Sequence, residues 1–228
     1  MNHPSQCPLN PIKPDPLQTL QSLQSPTFPD EGVTKFKGYW IKADPPPAES
    51  LGQLMLWRDR LRQLGLIGVD HQGIGFGNIS VRMGPSGEFI ITGTQTGSLL
   101  QLQPQHYTRV TEFDLAANSL TCVGPIAASS ESLTHGAIYA HQPQVRAIIH
   151  VHHSRLWRRL CFQVPTTRAE VPYGTPQMAA EMFRLFERGN LATHKVLAMA
   201  GHPDGLITFG STLDQAGAVL LDYFNLVD

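Results

Sequence analysis

The chain has 228 residues, 17 Lys+Arg against 18 Asp+Glu, and only 15% charged residues. A chain of this length buries on the order of 70% of its unfolded surface, so one core without disulfides or a structural metal is sufficient and one domain is expected. A formal charge of −1 without basic runs argues against nucleic-acid and membrane-surface partners.

The N-terminus, MNHPSQCPLNPIKPDP, has neither a basic start nor an apolar stretch of signal-peptide length, and nowhere do ~18 apolar residues run together, so no signal peptide or membrane span is expected. Three widely spaced cysteines, Cys7, Cys122 and Cys161, fit a reducing compartment, and the expected location is the cytoplasm. Ten of the eighteen prolines lie within the first 47 residues, which defines a proline-rich arm over 1–47 and a domain over 48–228. Proline removes an amide donor and fixes φ, so the arm cannot be continuous helix or central strand. One edge strand fits Val33 to Trp40, and residues 1–30 read as a tail or surface wrap.

Leu51, Leu54, Leu56, Trp57, Leu61 and Leu64 recur at helical spacing, with Gly65 where a C-cap would stand. The Gly73, Gly75, Gly77 loop then leads into a strand at 78–82, a turn at 84–87 and a partner strand at 89–92. Further strands are expected at 108–113 and 145–152, helices at about 130–142, 175–188 and 212–225, and a last strand pair near 196–200 and 205–209. Strands and helices interleave without βαβ regularity, which predicts a mixed α/β sheet covered by helices.

Seven of the ten histidines fall between positions 135 and 202, where even spacing would put about three. In a strand at 145–152, His150 and His152 share a face, with Cα atoms about 6.6 Å apart at ~3.3 Å rise, so both rings can reach one ion. Two polar residues on a solvated strand face would give the same pattern; Ile148 and Ile149, on opposite faces upstream, make the strand look central. His202, in the Gly201-His202-Pro203-Asp204-Gly205 turn, is the best third ligand. Glu131 lies at the start of a helix behind Ser129 and Ser130, where it is either an acid/base group or simply a residue that favours the helix dipole. His135, one turn on, is read as its orienting partner. His153 faces the other way, and His71, His106, His141 and His194 read as surface histidines.

The Gly73–Asn78 loop, Thr94-Gln95-Thr96-Gly97 and Ser129-Ser130 are small, donor-rich stretches that can bind a phosphate through amides and hydroxyls, although each alone is an ordinary turn. Neither a Walker loop nor a dinucleotide fingerprint is present. The spacing of acid and histidines also fails the cupin, metallo-β-lactamase and amidohydrolase patterns.

Taken in order, Gly77-Asn78-Ile79-Ser80-Val81-Arg82, Ile91-Thr92 with Thr96-Gly97, Ser129-Ser130-Glu131 with His135 and Tyr139, His150-Val151-His152, and His202 resemble the class II aldolase and adducin head-domain family, from about Leu51 to Leu220. The resemblance implies an αβα sandwich on a mixed, largely antiparallel central sheet. It implies Zn2+, or another divalent transition metal, on His150, His152 and His202, and Glu131 as the catalytic acid/base. It implies substrate-phosphate contacts from Asn78, Thr96, Gly97, Ser129 and Ser130. The activity implied is that of an aldolase-type lyase of carbohydrate metabolism, related to L-fuculose-phosphate aldolase, acting on a small hydroxy-carbonyl or sugar-phosphate compound through a zinc-stabilised enediolate. The assembly implied is a homo-oligomer, often a tetramer. An epimerase or dehydratase on the same site is the alternative, as is an adducin-like interaction module without catalysis. Two features depart from the family: Pro203-Asp204 follows His202, and no tyrosine maps onto the one that a C-terminal tail supplies in sugar-phosphate aldolases. Tyr173 is the candidate substitute.

Overall fold

The computed structural model describes residues 34–227; the tail expected over 1–30, Val33 and Cys7 lie outside the described residues. Its frame is an eight-stranded sheet. The strands are β1 (Lys37–Lys42), β4 (Asn78–Arg82), β5 (Phe89–Thr92), β6 (Tyr107–Asp114), β7 (Ser119–Gly124), β8 (Ala147–His152), β9 (Val196–Ala198) and β10 (Gly205–Gly210), with β2 (Gly68–Val69) and β3 (Gly75–Phe76) forming a separate small pair. The order across the sheet is β1-β7-β6-β5-β4-β8-β10-β9. Only β1 and β7 run parallel; the other neighbours are antiparallel. The edge strand expected in the arm is therefore present, shifted toward Lys42, and it joins the sheet through β7.

Helices cover both faces, which makes the αβα sandwich. On one face α1 (Gly52–Gln63), α3 (Ser154–Leu160) and α6 (Leu213–Phe224) bury Leu54, Leu61, Leu156 and Leu220 against Ile79, Ile149 and Val151. On the other, α2 (Ser132–His141), α4 (Pro176–Arg188) and α5 (Leu191–His194) bury Leu133, Ala137, Met182 and Leu191 against Ile91, Ile148 and Ile207. Removing these side chains from water, at roughly 25 cal/mol per Å² of apolar surface, is the main force holding the layers together.

Local sequence explains the ends of these elements. Gly65, at φ +70°, follows α1 in the conformation that costs a glycine least. Thr175 and Thr212 accept from Met178 N (3.3 Å) and Gln215 N (3.1 Å), capping α4 and α6. Trp57 donates to Asp214 (2.7 Å), and its ring lies so close to Gly217 that a Cβ there would stand 2.1 Å from it, so α1 and α6 meet through that pair.

Two principal elements have no counterpart in the sequence expectations. Strand β7 reads Ser-Leu-Thr-Cys-Val-Gly, an alternation diluted by hydroxyl residues, and follows a turn through Asn118 at φ +48°. Helix α3 is capped by the His153 ring, which accepts from Leu156 N (3.1 Å), an uncommon cap. The strand expected over 196–200 stops at Ala198, because Ala200 N donates to Thr167 (3.0 Å) and Met199 N to Gly205 O (3.0 Å), turning the chain toward His202.

Candidate active site

The inner strand β8 ends with its two same-face histidines, and the β9–β10 turn brings the third beside them. His152 Nε2 lies 3.2 Å from His150 Nε2 and 3.1 Å from His202 Nε2. The nitrogens the three rings offer all lie within 4.8 Å of one another. His150 Nδ1 faces Leu206 O at 3.1 Å; with the proton on Nδ1 it donates there, leaving Nε2 with a lone pair toward its neighbours. Burial pushes His150 down to about 4. Burial and then neighbouring imidazoles hold His152 and His202 well below the ordinary range. Three uncharged rings offering nitrogens to one point fit a divalent transition ion and leave room for a further ligand.

The third ring depends on its turn. His202 N donates to Met199 O (3.1 Å) and Gly205 N to His202 O (3.0 Å), while His153 N donates to Asp204 O (3.0 Å), which ties the turn to the end of β8. The Pro203-Asp204 insertion is accommodated with Asp204 at φ +66°. Gly205 is required sterically: a Cβ there would stand 2.7 Å from His202 Cδ2 and 3.3 Å from His150 Cε1. Phe76 stacks on His152 with centroids 5.3 Å apart, and Tyr173 packs on His202 at 4.4 Å. Lys35, from the arm, sets its ammonium 4.1 Å over the Tyr173 ring.

Glu131 immediately precedes α2, and its Oε1 lies 3.6 Å from His202 Nε2. Thr134 donates to Oε2 (2.7 Å), while Oε1 has no hydrogen-bond partner among the described residues. No backbone N–H at the helix start is bonded to this carboxylate, so it does not serve as a cap. Burial pushes its carboxyl up to about 7, against the Thr134 hydrogen bond and the Lys35 charge. A carboxyl near neutrality beside the histidines can both accept and return a proton.

His135 does not orient Glu131. Its Nδ1 lies 2.7 Å from Ser80 Oγ, which is 2.8 Å from Tyr139 Oη, so the ring belongs to a buried network between α2 and β4. Residue spacing put His135 on the face of Glu131, but the nearer Thr134 hydroxyl takes the carboxylate. His153 faces α6, its ring 5.3 Å from Phe224. His71 and His194 are exposed, whereas His141 is half-buried between Phe183 and Phe186.

A cleft of about 520 Å³ adjoins the histidines, reaching them through His150 and Glu131. Asn78, Thr96, Gly97, Ser129 and Ser130, the residues expected to contact an anion, all line it. Asn78 Oδ1 is buried without a partner among the described residues. Gly77, at φ +77°, brings the chain close to β8: a Cβ there would stand 3.1 Å from His150 O. Among the described residues no lysine or arginine lines the cleft. Tyr173, Phe76 and Lys35 also approach the histidines; of these the sequence singled out only Tyr173, and the approach of the other two is set by tertiary packing.

A family model described as Class II Aldolase and Adducin N-terminal domain matches residues 63–223. Among solved structures, L-fuculose 1-phosphate aldolase has a TM-score of 0.61 at 18% identity, over 80% of this chain and 84% of that one. YgbL from Klebsiella pneumoniae has a TM-score of 0.57 at 23% identity, over 76% and 84%. YgbL from Escherichia coli has 0.56 at 20%, again over 76% and 84%. At these identities the likenesses speak for the fold. No match was found among curated proteins. Among the described residues no helix is long and apolar enough to cross a membrane.

Proposed function

We propose that this chain, which belongs to the class II aldolase and adducin N-terminal domain family, is a metal-dependent lyase that cleaves a carbon–carbon bond in a small hydroxy-carbonyl compound carrying a phosphate. The observation that carries the reading is the junction of three converging buried histidines with a buried carboxyl whose free oxygen lies 3.6 Å from one of them. His150, His152 and His202 would hold the ion, with zinc expected from the all-imidazole donor set. When bound, such an ion supplies electrophilic stabilisation of the enediolate-type negative charge that develops as the bond breaks.

The chain's own groups supply the rest. Glu131 moves the proton through its unpartnered Oε1, and its Thr134 hydrogen bond fixes the rotamer from which it does so. Asn78, Thr96, Gly97, Ser129 and Ser130 bind the phosphate through amides and hydroxyls, so among the described residues of the lining substrate charge is held without a lysine or arginine. The depth of the histidines and Glu131 limits water around the reacting carbons. The complete histidine set with its acid supports an enzyme over an adducin-like interaction module. Epimerisation or dehydration would use the same groups. The cytoplasmic location and homo-oligomeric assembly belong to the same reading.

The test is a screen of metal-loaded protein against ketose, ketose-phosphate and hydroxy-carbonyl compounds, following aldehyde release. Cleavage that depends on added divalent metal is expected. Loaded protein that epimerises or dehydrates the panel without cleavage would overturn the lyase assignment, and protein that binds no metal would overturn the mechanism.

A further inference from the structure

The cleft poses an electrostatic question: it is read as an anion site, but among the described residues its lining holds no lysine or arginine. Lys35 acts on the Glu131 end of the cleft, and a second, buried positive charge lies behind the Thr96–Gly97 side. Arg58 of α1 is 1% exposed and extends into the turn that carries Thr96 and Gly97. Its Nη2 donates to Thr96 O (2.8 Å) and its Nη1 to Leu100 O (3.0 Å). Its closest acid, Asp59, is 3.6 Å away and partly exposed, so the neutralisation is partial.

The two bonds fix a direction. In a trans peptide the carbonyl and the following N–H point opposite ways. Thr96 O is held by Arg58 and also receives Leu99 N (3.2 Å), so the Gly97 N–H is turned away from the guanidinium. That N–H donates to no acceptor among the described residues. Gly97 cannot retreat either, since a Cβ there would stand 2.0 Å from Gly68 O and 2.9 Å from Gly75 Cα. The Thr96–Gly97 peptide is clamped between a buried cation and the glycine loop, with one end on the cleft.

We propose that Arg58 is the positioning residue and charge source of the cleft, acting through the Thr96–Gly97 peptide so that Gly97 N–H binds a dianionic phosphate. This inference rests on reading the cleft as a phosphate site. A guanidinium on the carbonyl end polarises the peptide and strengthens the donor at its other end, and in a buried setting that field is weakly screened. The arrangement lends an arginine's charge to the site without putting a long side chain where the substrate must sit.

The experiment is a titration of full-length, metal-loaded protein with inorganic phosphate, by calorimetry and by the Gly97 amide resonance, for wild type, Arg58→Lys and Arg58→Gln. Wild type is expected to bind with a shift of the Gly97 amide. Arg58→Gln, which keeps a donor and loses the charge, should weaken binding about tenfold at low and at high salt alike, whereas Arg58→Lys should stay within about threefold. Metal content should be unchanged in all three. Binding by folded Arg58→Gln within twofold of wild type, or equal damage from Lys and Gln, overturns the charge role. A Gly97 amide that does not move while wild type binds overturns the donor assignment even if Arg58→Gln fails to fold. Loaded wild type that binds no phosphate overturns the reading of the cleft, and the inference with it.

Discussion

Asn78 and His150 are register partners across β4 and β8, so a residue of the cleft lining and a residue of the histidine group rise from adjacent backbones. Under the proposed function, a substrate held by its phosphate at Asn78 would be indexed to the histidines by the hydrogen-bond ladder itself. Such positioning is the part of catalysis that a rigid sheet supplies most directly.

The metal group is tested by the pair His150→Ala with His152→Ala. Purified wild type should carry about one divalent ion per chain, and the double variant should fall to background while its circular dichroism stays native. Retention of full metal by a folded double variant would remove the assignment.

Glu131→Gln keeps the shape and the Thr134 contact but cannot cycle a proton. It should retain metal and lose turnover of any substrate by about 10²–10⁴-fold, with KM little changed. Undiminished turnover would exclude Glu131 from proton transfer.

Gly205→Ala places a methyl 2.7 Å from the His202 ring and 3.3 Å from that of His150. Metal affinity should fall roughly 10–100-fold, as when other groups that orient ligands are disturbed. A competition titration with a chelator reads this directly, and unchanged affinity would show that the turn relaxes freely.

Acid should destabilise the metal-free protein. Burial holds His135, His150, His152 and His202 below the ordinary imidazole range, His150 at about 4, and pushes Glu131 up to about 7. As pH falls from about 6.5 toward 4.5, the unfolded chain takes up protons at four imidazoles that the folded chain excludes, and the folded chain gains one, at Glu131. The unfolded state binds more protons, so stability drops with falling pH. The urea midpoint should decrease steadily from pH 7 to pH 5; a flat or rising midpoint would contradict the burial assigned to these rings.

Much of this was legible before any coordinates. Alternation in β4, the apolar runs of β5, β8 and β10 and the helical spacing of Leu54, Trp57 and Leu61 carry the two-faced sheet, since these patterns report burial directly. The His150–His152 face follows from the period of a strand. The convergence of His202 depends on the β9–β10 turn and was reached from residue type and position. His135 was assigned wrongly because spacing along a helix fixes the face and leaves the partner open; Ser80, on another strand, won the ring. Arg58 gave no signal beyond one arginine in an amphipathic helix, because its importance arises where α1 crosses the 96–100 turn.

Strand β8 alternates between the two cores, with Ile148 on one side and Ala147, Ile149 and Val151 on the other. A slip of one residue would drive His150 and His152 into hydrocarbon and expel Ile149 and Val151 from it, so a one-residue misregister is penalised on both faces at once. The amides of this strand should therefore exchange with solvent only when the whole domain opens, and folding that reaches the native pairing delivers two of the three histidines already aligned.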